Sequence, residues 1–476
     1  WKWPSRCCAA APAQNGFRDW WRFPMLEEII AHKRGEVARR RSVRPLAVHQ
    51  APPSDRRLSD VLRRGHTGFI LECKKASPSK GLIRKDFDPA AIARAYAPFA
   101  DAVSVLTDER FFQGSLDFLS IVRAETTAPV LCKDFIVDPY QIVEARLAGA
   151  DAVLLMMSVL DDAALAECLQ VARQLHMDAL VEVHDENELR RALHTDAPII
   201  GINNRSFADL RVDVAVTQRL APLVPRDRLV VSESGILHHD HVRRLRPLVD
   251  GFLVGSALME QENLTAACGE LMYGRVKVCG LTRRDDALAA AAAGVQFGGL
   301  IFAKKSPRYL DIRDAQEVCR DVPLRFVGVF ADAPPSVVAD TANHLGLYAV
   351  QLHGMENRDY LYELKQVLAK GVEVWTAVAV GDALPSLAEF DGCRMLLDAG
   401  SGGSGAPFDW GLLDRANVKE MVLAGGLNAR NGARADDLGA FALDVNSGIE
   451  SAPGQKDTNQ LNAFLAALRG TGRSHT

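Results

Sequence analysis

Charged side chains at the ends of three apolar runs in the first half of the chain could carry out acid–base chemistry. Glu72 and Lys74 lie two residues apart, so in an extended strand both side chains point to the same face. Lys133 and Glu182 end the runs "LCK" and "LVE". An unpaired charge is costly in a core. The four residues therefore form either an internal ion-pair network or an active site, and we favour the active site because scaffold interiors consist of branched apolar residues.

The second half offers a thiol and a carboxylic acid in comparable positions. Cys279 ends "RVKVC" and Asp398 ends "RMLLD". Together they could move a proton between neighbouring carbons, but a cysteine base must be a thiolate, and the free thiol has a pKa near 8.5. The alternative is an inert Cys279 that fills core space. Further charges near these strand ends are Lys304, Lys305, Arg308 and His353, of which Arg308 is suited to bind an anion.

These residues end short β-rich runs that alternate with helical patterns. Eight runs lie between residues 67 and 257: "GFILEC", "AVSVLTD", "PVLCKDF", "AVLLMMS", "ALVEVH", "IIGINNR", "LVVSESG" and "GFLVGSA". Apolar runs separated by helices indicate parallel strands in βαβ units. Eight units predict a (β/α)8 barrel, with an open doubly wound sheet as the alternative. A second set of eight fills residues 275–448, so we predict an α/β protein with two consecutive (β/α)8 TIM barrels.

Glycine-rich segments end the seventh and eighth runs of each set. They are "SESG" and "LVGSA" in the first set, and "LAGGLN" and "DVNSGIE" in the second. Backbone N–H groups at these positions, near a helix N-terminus, form the usual phosphate site of such barrels. We therefore predict one phosphate site in each half.

Two further patterns resemble binding motifs but are interpreted differently. "GSGGSG", 400–405, matches G-x-G-x-x-G, yet it follows the sixth run of a set and precedes Pro407 instead of a helix. We predict a mobile active-site loop there, not a dinucleotide site. His238, His239 and His241 lack the i, i+4 spacing of a metal pair and are interpreted as a polar helix start. We expect no metal and no cofactor.

Composition limits the class of protein and its partners. A chain of 476 residues exceeds one core, and the net charge of −4 gives no support for nucleic-acid or membrane-surface binding. The chain has nine cysteines without a C-x-x-C pair and no apolar run of about 18 residues. These features predict a cytoplasmic protein. We expect it to be a monomer. Residues 1–24 are excluded as an extension, and an amphipathic helix begins at Met25. The barrels are predicted at 25–272 and 273–470, followed by a tail at 471–476, with fraying from about Ala467.

Residues 25–272 resemble indole-3-glycerol phosphate synthase. The resemblance rests on "ECKKASPSKG", "LTDERFFQGS", "CKDFIVDPYQI", "LVEVH", "GINNRSF", "SESGI" and "VGSALM", in family order. It implies closure of an indole ring with loss of carbon dioxide and water, and an extra N-terminal helical region that borders the site. It further implies that Lys133 is the general acid on the ketone and that Glu182 is the base or acid of the dehydration.

The same resemblance implies roles for the remaining residues of the first site. Lys74 would hold the substrate carboxylate or act as a second acid, while Glu72 and Asn203 would position the anilino and hydroxyl groups. Arg205 would bind the carboxylate side, and Ser234 would assist. The implied phosphate ligands are Ser77, Gly235, Gly255 and Ser256.

Residues 275–470 resemble phosphoribosylanthranilate isomerase through "VKVCGLT", "SPRYL", "GVF", "QLHG", "LLD", "GGSG", "FDW", "AGGLN" and "DVNSGIE". The resemblance implies an Amadori rearrangement in which Asp398 is the general acid on the ring oxygen and Cys279 is the base that removes the sugar C2 proton. Arg308 would hold the anthranilate carboxylate. The implied phosphate ligands are Gly425, Gly426, Ser447 and Gly448.

The two resemblances together predict a fused enzyme of tryptophan biosynthesis that acts on small phosphorylated anthranilate-sugar substrates. Its second barrel would make the compound that its first barrel consumes. One alternative is that only the first barrel is active and the second is a structural partner. The other is a phosphosugar isomerase of the histidine pathway, although such an enzyme is expected to have an aspartate where this chain has Glu72 and Cys279.

Overall fold

The computed structural model describes residues 25–206, 209–384, 392–399, 407–413 and 417–473. The predictions for residues 1–24, for the loop at 400–405 and for residues 474–476 lie outside these ranges. No helix within the described ranges has the length and apolar character needed to cross a bilayer.

Among its described residues, the first half contains ten strands and twelve α-helices. The strands are β1 (Gly68–Cys73), β2 (Ala76–Ser77), β3 (Gly81–Leu82), β4 (Ala102–Leu106), β5 (Val130–Lys133), β6 (Ala152–Met156), β7 (Asp178–Val183), β8 (Ile199–Asn203), β9 (Leu229–Glu233) and β10 (Gly251–Val254). The helices are α1 (Met25–Val43), α2 (Leu58–Leu62), α3 (Pro89–Tyr96), α4 (Glu109–Phe112), α5 (Asp117–Glu125), α6 (Tyr140–Leu147), α7 (Asp162–Gln174), α8 (Glu186–Leu193), α9 (Ala215–Leu220), α10 (His239–Leu245), α11 (Ser256–Met259) and α12 (Leu264–Tyr273).

The second half repeats this alternation. Its strands are β11 (Val276–Val278), β12 (Phe297–Ile301), β13 (Arg325–Phe330), β14 (Ala349–Leu352), β15 (Glu373–Ala379), β16 (Arg394–Asp398), β17 (Val422–Leu423), β18 (Ala442–Val445), β19 (Glu450–Ala452) and β20 (Gln455–Lys456). Its helices are α13 (Arg284–Ala292), α14 (Ile312–Cys319), α15 (Pro335–Leu345), α16 (Arg358–Val367), α17 (Gly432–Asp437) and α18 (Thr458–Arg469).

Two closed parallel barrels confirm the predicted fold. The first contains β1 and β4 to β10, the second β11 to β18, and in each the last strand pairs with the first. The short strands β2 and β3, like β19 and β20, form antiparallel hairpins outside the barrels. Parallel strands end at the same edge of a barrel, so the polar residues that follow them gather at one mouth.

Successive side chains along each strand point alternately into the barrel interior and outward beneath the helices. Ile70 and Leu180 belong to the inner apolar cluster of the first barrel, whereas their neighbours Leu71 and Val181 pack outward against helices. The second interior is filled with larger rings, and Phe297 meets Trp375 edge to face with ring centroids 5.5 Å apart. Both interiors are packed cores.

Helix α1 is fastened to the first barrel by one buried lysine. Lys33 is 1% exposed, and its Nζ lies 2.9 Å from both Asp108 and Asp134, which follow β4 and β5. Burial opposes the charge of the ammonium, but Asp134 and Asp108 raise the pKa of Lys33 above its ordinary value. The helix therefore lies over the loops that carry the first mouth.

The two barrels pack directly against each other. A Cβ on Gly269 of α12 would collide with the carbonyl of Gly294, the residue of positive φ that follows α13, so only glycine permits this approach. Asp436 of α17 accepts hydrogen bonds from Arg246 at 2.8 Å and bonds His239 at 2.7 Å, both in the first half. The predicted polar helix start at the histidines is therefore an element of the barrel interface.

Residues 468–473 pack against the first half, so the expected fraying is wrong for them. Arg469 is paired with Asp101 of the first barrel. Arg473 is 7% exposed, and its backbone N–H donates to the carbonyl of Val249 at 3.0 Å. These long-range contacts hold the end of the second half against the first, and no local pattern in the sequence indicates them.

Candidate active sites

A cavity of about 390 Å³ opens at the mouth of the first barrel, a size typical of small-molecule sites. Ten of the eleven residues predicted for the first site line it: Glu72, Lys74, Lys133, Glu182, Asn203, Arg205, Ser234, Gly235, Gly255 and Ser256. Lys80 and Glu233 line it as well. A larger cavity of about 690 Å³ lies between the barrels, away from these charges, and we assign the chemistry to the smaller one.

Ser77 is the one residue predicted for the first site that does not line the cavity. Ser77 is buried in the β2–β3 hairpin, where its hydroxyl accepts the Lys80 backbone N–H at 3.2 Å. Lys80 of the same hairpin does line the cavity, and its Nζ is paired with Glu260.

Lys133 is the centre of the first mouth. Its Nζ lies 3.0 Å from Glu182 Oε2 and 3.0 Å from Glu233 Oε2. Burial opposes the ammonium, but Glu182 and Glu233 raise the pKa of Lys133 above its ordinary value. The lysine is therefore protonated, and it lies between two carboxylates at the base of the cavity.

The two carboxylates differ in their charge state. Burial disfavours ionisation of Glu182, but Lys133 and His184 outweigh it and hold the pKa of Glu182 below its ordinary value. Burial and the nearby charge of Glu182 raise the pKa of Glu233. Two acids beside one lysine cannot both ionise freely, so Glu182 takes the charge first and Glu233 retains its proton to higher pH.

Glu233 and His184 are site residues that the sequence analysis missed. Glu233 is the last residue of β9, within the "SESG" that was interpreted only for its hydroxyl and glycine donors. His184 follows Glu182 by two residues. Burial lowers the pKa of His184, but Glu182 and Glu188 outweigh burial and raise that pKa to about 10. Applying the strand-end charge criterion to every strand would have found Glu233.

Glu72 and Lys74 form an ion pair at 2.6 Å on the opposite wall. Glu72 is 3% exposed, and a Cβ on Gly255 would collide with its Oε1. Gly255 therefore makes room for a carboxylate in addition to its predicted place near a phosphate. Gly201 makes the same room for Glu233, because a Cβ there would collide with Glu233 Oε1.

The predicted phosphate corner lies where β9 and β10 end. Ser234 and Gly235 both have positive φ, and the carbonyl of Ser234 accepts from Asn204 Nδ2 at 3.0 Å. Ser256 begins α11. Nearby, Asn203 Oδ1 accepts the backbone N–H of Arg205 at 2.9 Å, which fixes the start of the loop that carries the arginine.

Cys279 stands in a buried polar triad at the second mouth. Lys277 Nζ lies 3.0 Å from Cys279 Sγ and 2.7 Å from Asp444 Oδ2. Burial and Asp444 raise the pKa of the Cys279 thiol, whereas Lys277 lowers it, and the net direction is upward. The sequence analysis missed Lys277, in the middle of β11, and Asp444, in β18. Both lie inside motifs that were quoted for other residues.

Asp398 ends β16 beside a histidine. His353 Nε2 lies 3.5 Å from Asp398 Oδ2, and the Ala399 N–H donates to Asp398 Oδ1 at 2.7 Å. Burial opposes ionisation, but His353 and the backbone N–H lower the pKa of Asp398. The hydrogen bond to Asp398 raises the pKa of His353, so this pair holds one proton between them.

Arg308 already has a carboxylate partner. Its Nε and Nη2 donate to Glu450 at 2.9 and 2.6 Å, and Lys456 Nζ lies 2.7 Å from the same carboxylate. Burial opposes ionisation, but Arg308 and Lys456 lower the pKa of Glu450 to about 2. The sequence analysis missed Glu450 and Lys456, and any carboxylate that binds Arg308 must share it with Glu450.

The four predicted phosphate residues of the second half lie on two adjoining loops. Gly425 has positive φ, and a Cβ there would lie 2.8 Å from Asp398 Oδ1. The carbonyl of Gly426 accepts from Asn428 Nδ2 at 2.9 Å. Ser447 and Gly448 begin the 3-10 turn Ser447–Ile449, and a Cβ on Gly448 would collide with the Leu427 carbonyl. The loops after β17 and β18 are thus in direct contact.

Within the residues whose structure is described, no group of three or more His, Cys, Asp or Glu side chains is arranged to hold a metal ion. The polar groups at both mouths are instead joined to one another as acid–base partners. The arrangement suits proton transfer.

Comparison with known proteins assigns both halves. Residues 26–271 match the family of indole-3-glycerol phosphate synthase, and residues 276–467 match N-(5′-phosphoribosyl)anthranilate (PRA) isomerase. The tryptophan biosynthesis protein TrpCF of Vibrio cholerae is 49% identical over 94% of this chain and 96% of its own length. Its counterpart in Yersinia pestis is 48% identical over 94% of each chain. The matches support both predicted activities and not the alternative of a purely structural second barrel.

Proposed function

The chain belongs to the TrpCF family of fused indole-3-glycerol phosphate synthase and PRA isomerase enzymes, and we propose that its two barrel mouths divide the chemistry as follows. The second barrel isomerises N-(5-phosphoribosyl)anthranilate to 1-(2-carboxyphenylamino)-1-deoxyribulose 5-phosphate. The first barrel closes the indole ring of that product, with loss of carbon dioxide and water, to give indole-3-glycerol phosphate. The order of the barrels along the chain is opposite to the order of the reactions.

At the first mouth, Lys133 is the general acid that protonates the ketone oxygen while the ring carbon attacks. The observation that carries this assignment is the position of Lys133 Nζ, 3.0 Å from each of two carboxylates and open to the cavity. Glu182, held ionised, takes up or returns the proton of the dehydration. A positioned acid and base each contribute about 10² to 10⁴ in rate.

The remaining groups of the first mouth hold the substrate. Lys74 binds its carboxylate or serves as a second acid, and Glu72 and Asn203 position the anilino and hydroxyl groups. Arg205 lies on the carboxylate side, and Ser234 assists. Ser256 and the backbone of Gly235 and Gly255 bind the phosphate, with Ser77 acting through the hairpin that places Lys80 at the cavity.

At the second mouth, Asp398 takes the proton that His353 holds and delivers it to the ring oxygen, and the C1–O bond breaks to leave an iminium. Cys279 then removes the C2 proton, and the electron pair forms the enolamine that becomes the ketone. Arg308 holds the anthranilate carboxylate. Gly425, Gly426, Ser447 and Gly448 bind the phosphate on the two adjoining loops.

The test is to assay both half-reactions in wild type, Lys133→Ala and Cys279→Ala. We expect Lys133→Ala to abolish only ring closure and Cys279→Ala to abolish only isomerisation. Loss of both activities in either variant, when that variant is correctly folded, would refute independent sites. The protein is proposed to work as a monomer without nucleic acid, which light scattering of the purified chain checks for the oligomeric state.

A further inference from the structure

Lys277 is the feature of the second barrel that no assigned role explains. It is 0% exposed, so its ammonium does not touch the solvent of the barrel mouth. It lies two residues before Cys279, which directly follows the strand, and it is in register with Asp444 on the neighbouring strand. Both spacings direct the three side chains to one point in the barrel interior.

The surrounding backbone leaves space for this triad. A Cβ on Gly299 would lie 2.7 Å from Cys279 Sγ and 3.1 Å from Lys277 Cε, so the glycine of β12 admits both side chains. A fully buried ammonium is costly unless it is well paired. A neutral thiol is a weak hydrogen-bond partner, whereas a thiolate is a strong one.

Asp444 shows where a proton can go. Its Oδ2 accepts from Lys277, but its Oδ1 is buried with no hydrogen-bond partner within the described part of the chain. An ionised carboxylate with an unsatisfied oxygen in a core is unfavourable, and protonation relieves that cost. Burial accordingly raises the pKa of Asp444 above its ordinary value.

We propose that Lys277 is a positioning residue of the isomerase whose ammonium holds Cys279 as a thiolate, and that Asp444 accepts the proton which the thiol releases. This inference rests on the proposed role of Cys279 as the base. Lys277 passes one proton to Asp444 Oδ2 and takes the thiol proton in its place. The ammonium is regenerated, Asp444 becomes neutral, and the negative charge moves to Sγ, so no proton leaves the triad.

Other charged groups around the triad also act on the pKa values of its members. Lys456 of β20 lowers the pKa of Cys279, and Arg308, in the loop after β12, faces the thiol. Asp398 and His353, at the ends of β16 and β14, act on Asp444 in opposite directions. Because these groups stay in place, single changes within the triad isolate its own contribution.

The test follows alkylation of Cys279 by iodoacetamide in the full-length protein as a function of pH, with mass spectrometry of the peptide that contains Cys279. The midpoint of this rate-against-pH curve gives the pH at which half of Cys279 is thiolate. We expect Lys277→Met to raise this midpoint by at least about one pH unit. Alkylation at neutral pH should then slow about tenfold, because the fraction of thiolate falls about tenfold for each unit. Asp444→Asn should lower the midpoint and speed alkylation. A merely structural role would move both variants in the same direction.

Kinetics complete the test. Lys277→Met should lower the isomerase kcat by about 10² with KM little changed, within the range for a positioned base, and Lys277→Arg should restore part of it. Lys33→Met, which removes a buried paired lysine of the other barrel, is the matched control and should leave the Cys279 midpoint unchanged. An unshifted midpoint in Lys277→Met overturns the inference. Retained isomerisation in Cys279→Ala would instead overturn the proposed base, whatever the midpoints show.

Discussion

The two barrel mouths each contain a lysine beside acidic groups, but the lysines differ in access. The side chain of Lys133 is 14% exposed and borders a cavity, whereas that of Lys277 is 0% exposed. A lysine at a cavity can give its proton to a substrate directly. A lysine enclosed by the barrel can act only on its neighbours, which here are Cys279 and Asp444. We therefore propose that the same residue type serves as an acid toward substrate in one half and as a positioning charge in the other.

The acids of the two mouths differ in a related way. Glu182 and Glu233 compete for one lysine, so their pKa values move apart. Asp398 instead is paired with a base, His353, and each moves the pKa of the other toward the charged state. Separate changes in each mouth should therefore have separable effects.

The largest expected effect is on ring closure in Glu182→Gln. Removing the ionised partner of Lys133 should lower the synthase kcat by about 10² to 10⁴, the range for one general acid or base. Isomerase activity, assayed on the same preparation, is the internal control and should stay close to wild type. A comparable loss of isomerisation would show that the two mouths are not independent.

The next effect is on stability, at the barrel interface. Asp436→Asn removes the buried charge that faces Arg246 and His239, and breaking such a pair costs about 3–5 kcal/mol. Burial opposes ionisation, but His239 and Arg246 lower the pKa of Asp436, so this stabilisation is present above the ordinary carboxyl pKa and is lost as pH falls through the lowered value. Urea unfolding at several pH values should show the difference from wild type shrinking in acid. A constant difference would contradict the charge-based explanation.

The fold was largely predictable from local patterns, while the contacts between distant segments were not. The search for charged residues at the ends of apolar runs found Glu72, Lys133, Glu182 and Asp398. It succeeded because each of them is visible within the sequence of a single strand. Glu233 was missed because its motif was interpreted for phosphate donors. The pairing of Arg308 with Glu450 and the burial of Arg473 join segments far apart in the chain, and only the packed structure shows them.

A smaller effect concerns the pH dependence of ring closure. As pH rises and Glu233 loses its proton, a second negative charge appears beside Lys133 and makes the lysine a weaker acid. Synthase kcat/KM should therefore fall through a titration above the ordinary carboxyl range, and Glu233→Gln should remove that step. We expect a change of about tenfold across the step, since one pKa unit in the acid corresponds to 1.36 kcal/mol. A step that persists in Glu233→Gln must belong to another group.

The smallest predicted effects come from two glycines that make room for the reactive groups. An alanine Cβ at Gly255 would collide with Glu72 Oε1, and one at Gly299 would meet Cys279 Sγ at 2.7 Å. Overpacking of this kind costs about 1–3 kcal/mol. Gly255→Ala should lower only synthase kcat/KM, and Gly299→Ala only that of the isomerase, each by about tenfold for the 1.4 kcal/mol near the low end of that range.

Gly381→Ala is the matched control for both variants, because a Cβ there has no atom within 4 Å among the described residues and its φ is not positive. It should leave both activities at the wild-type level. If Gly255→Ala instead impairs isomerisation, or Gly299→Ala impairs ring closure, then strain spreads through the interface where Gly269 meets Gly294. The two mouths would then be coupled through packing, even though each keeps its own acid–base groups.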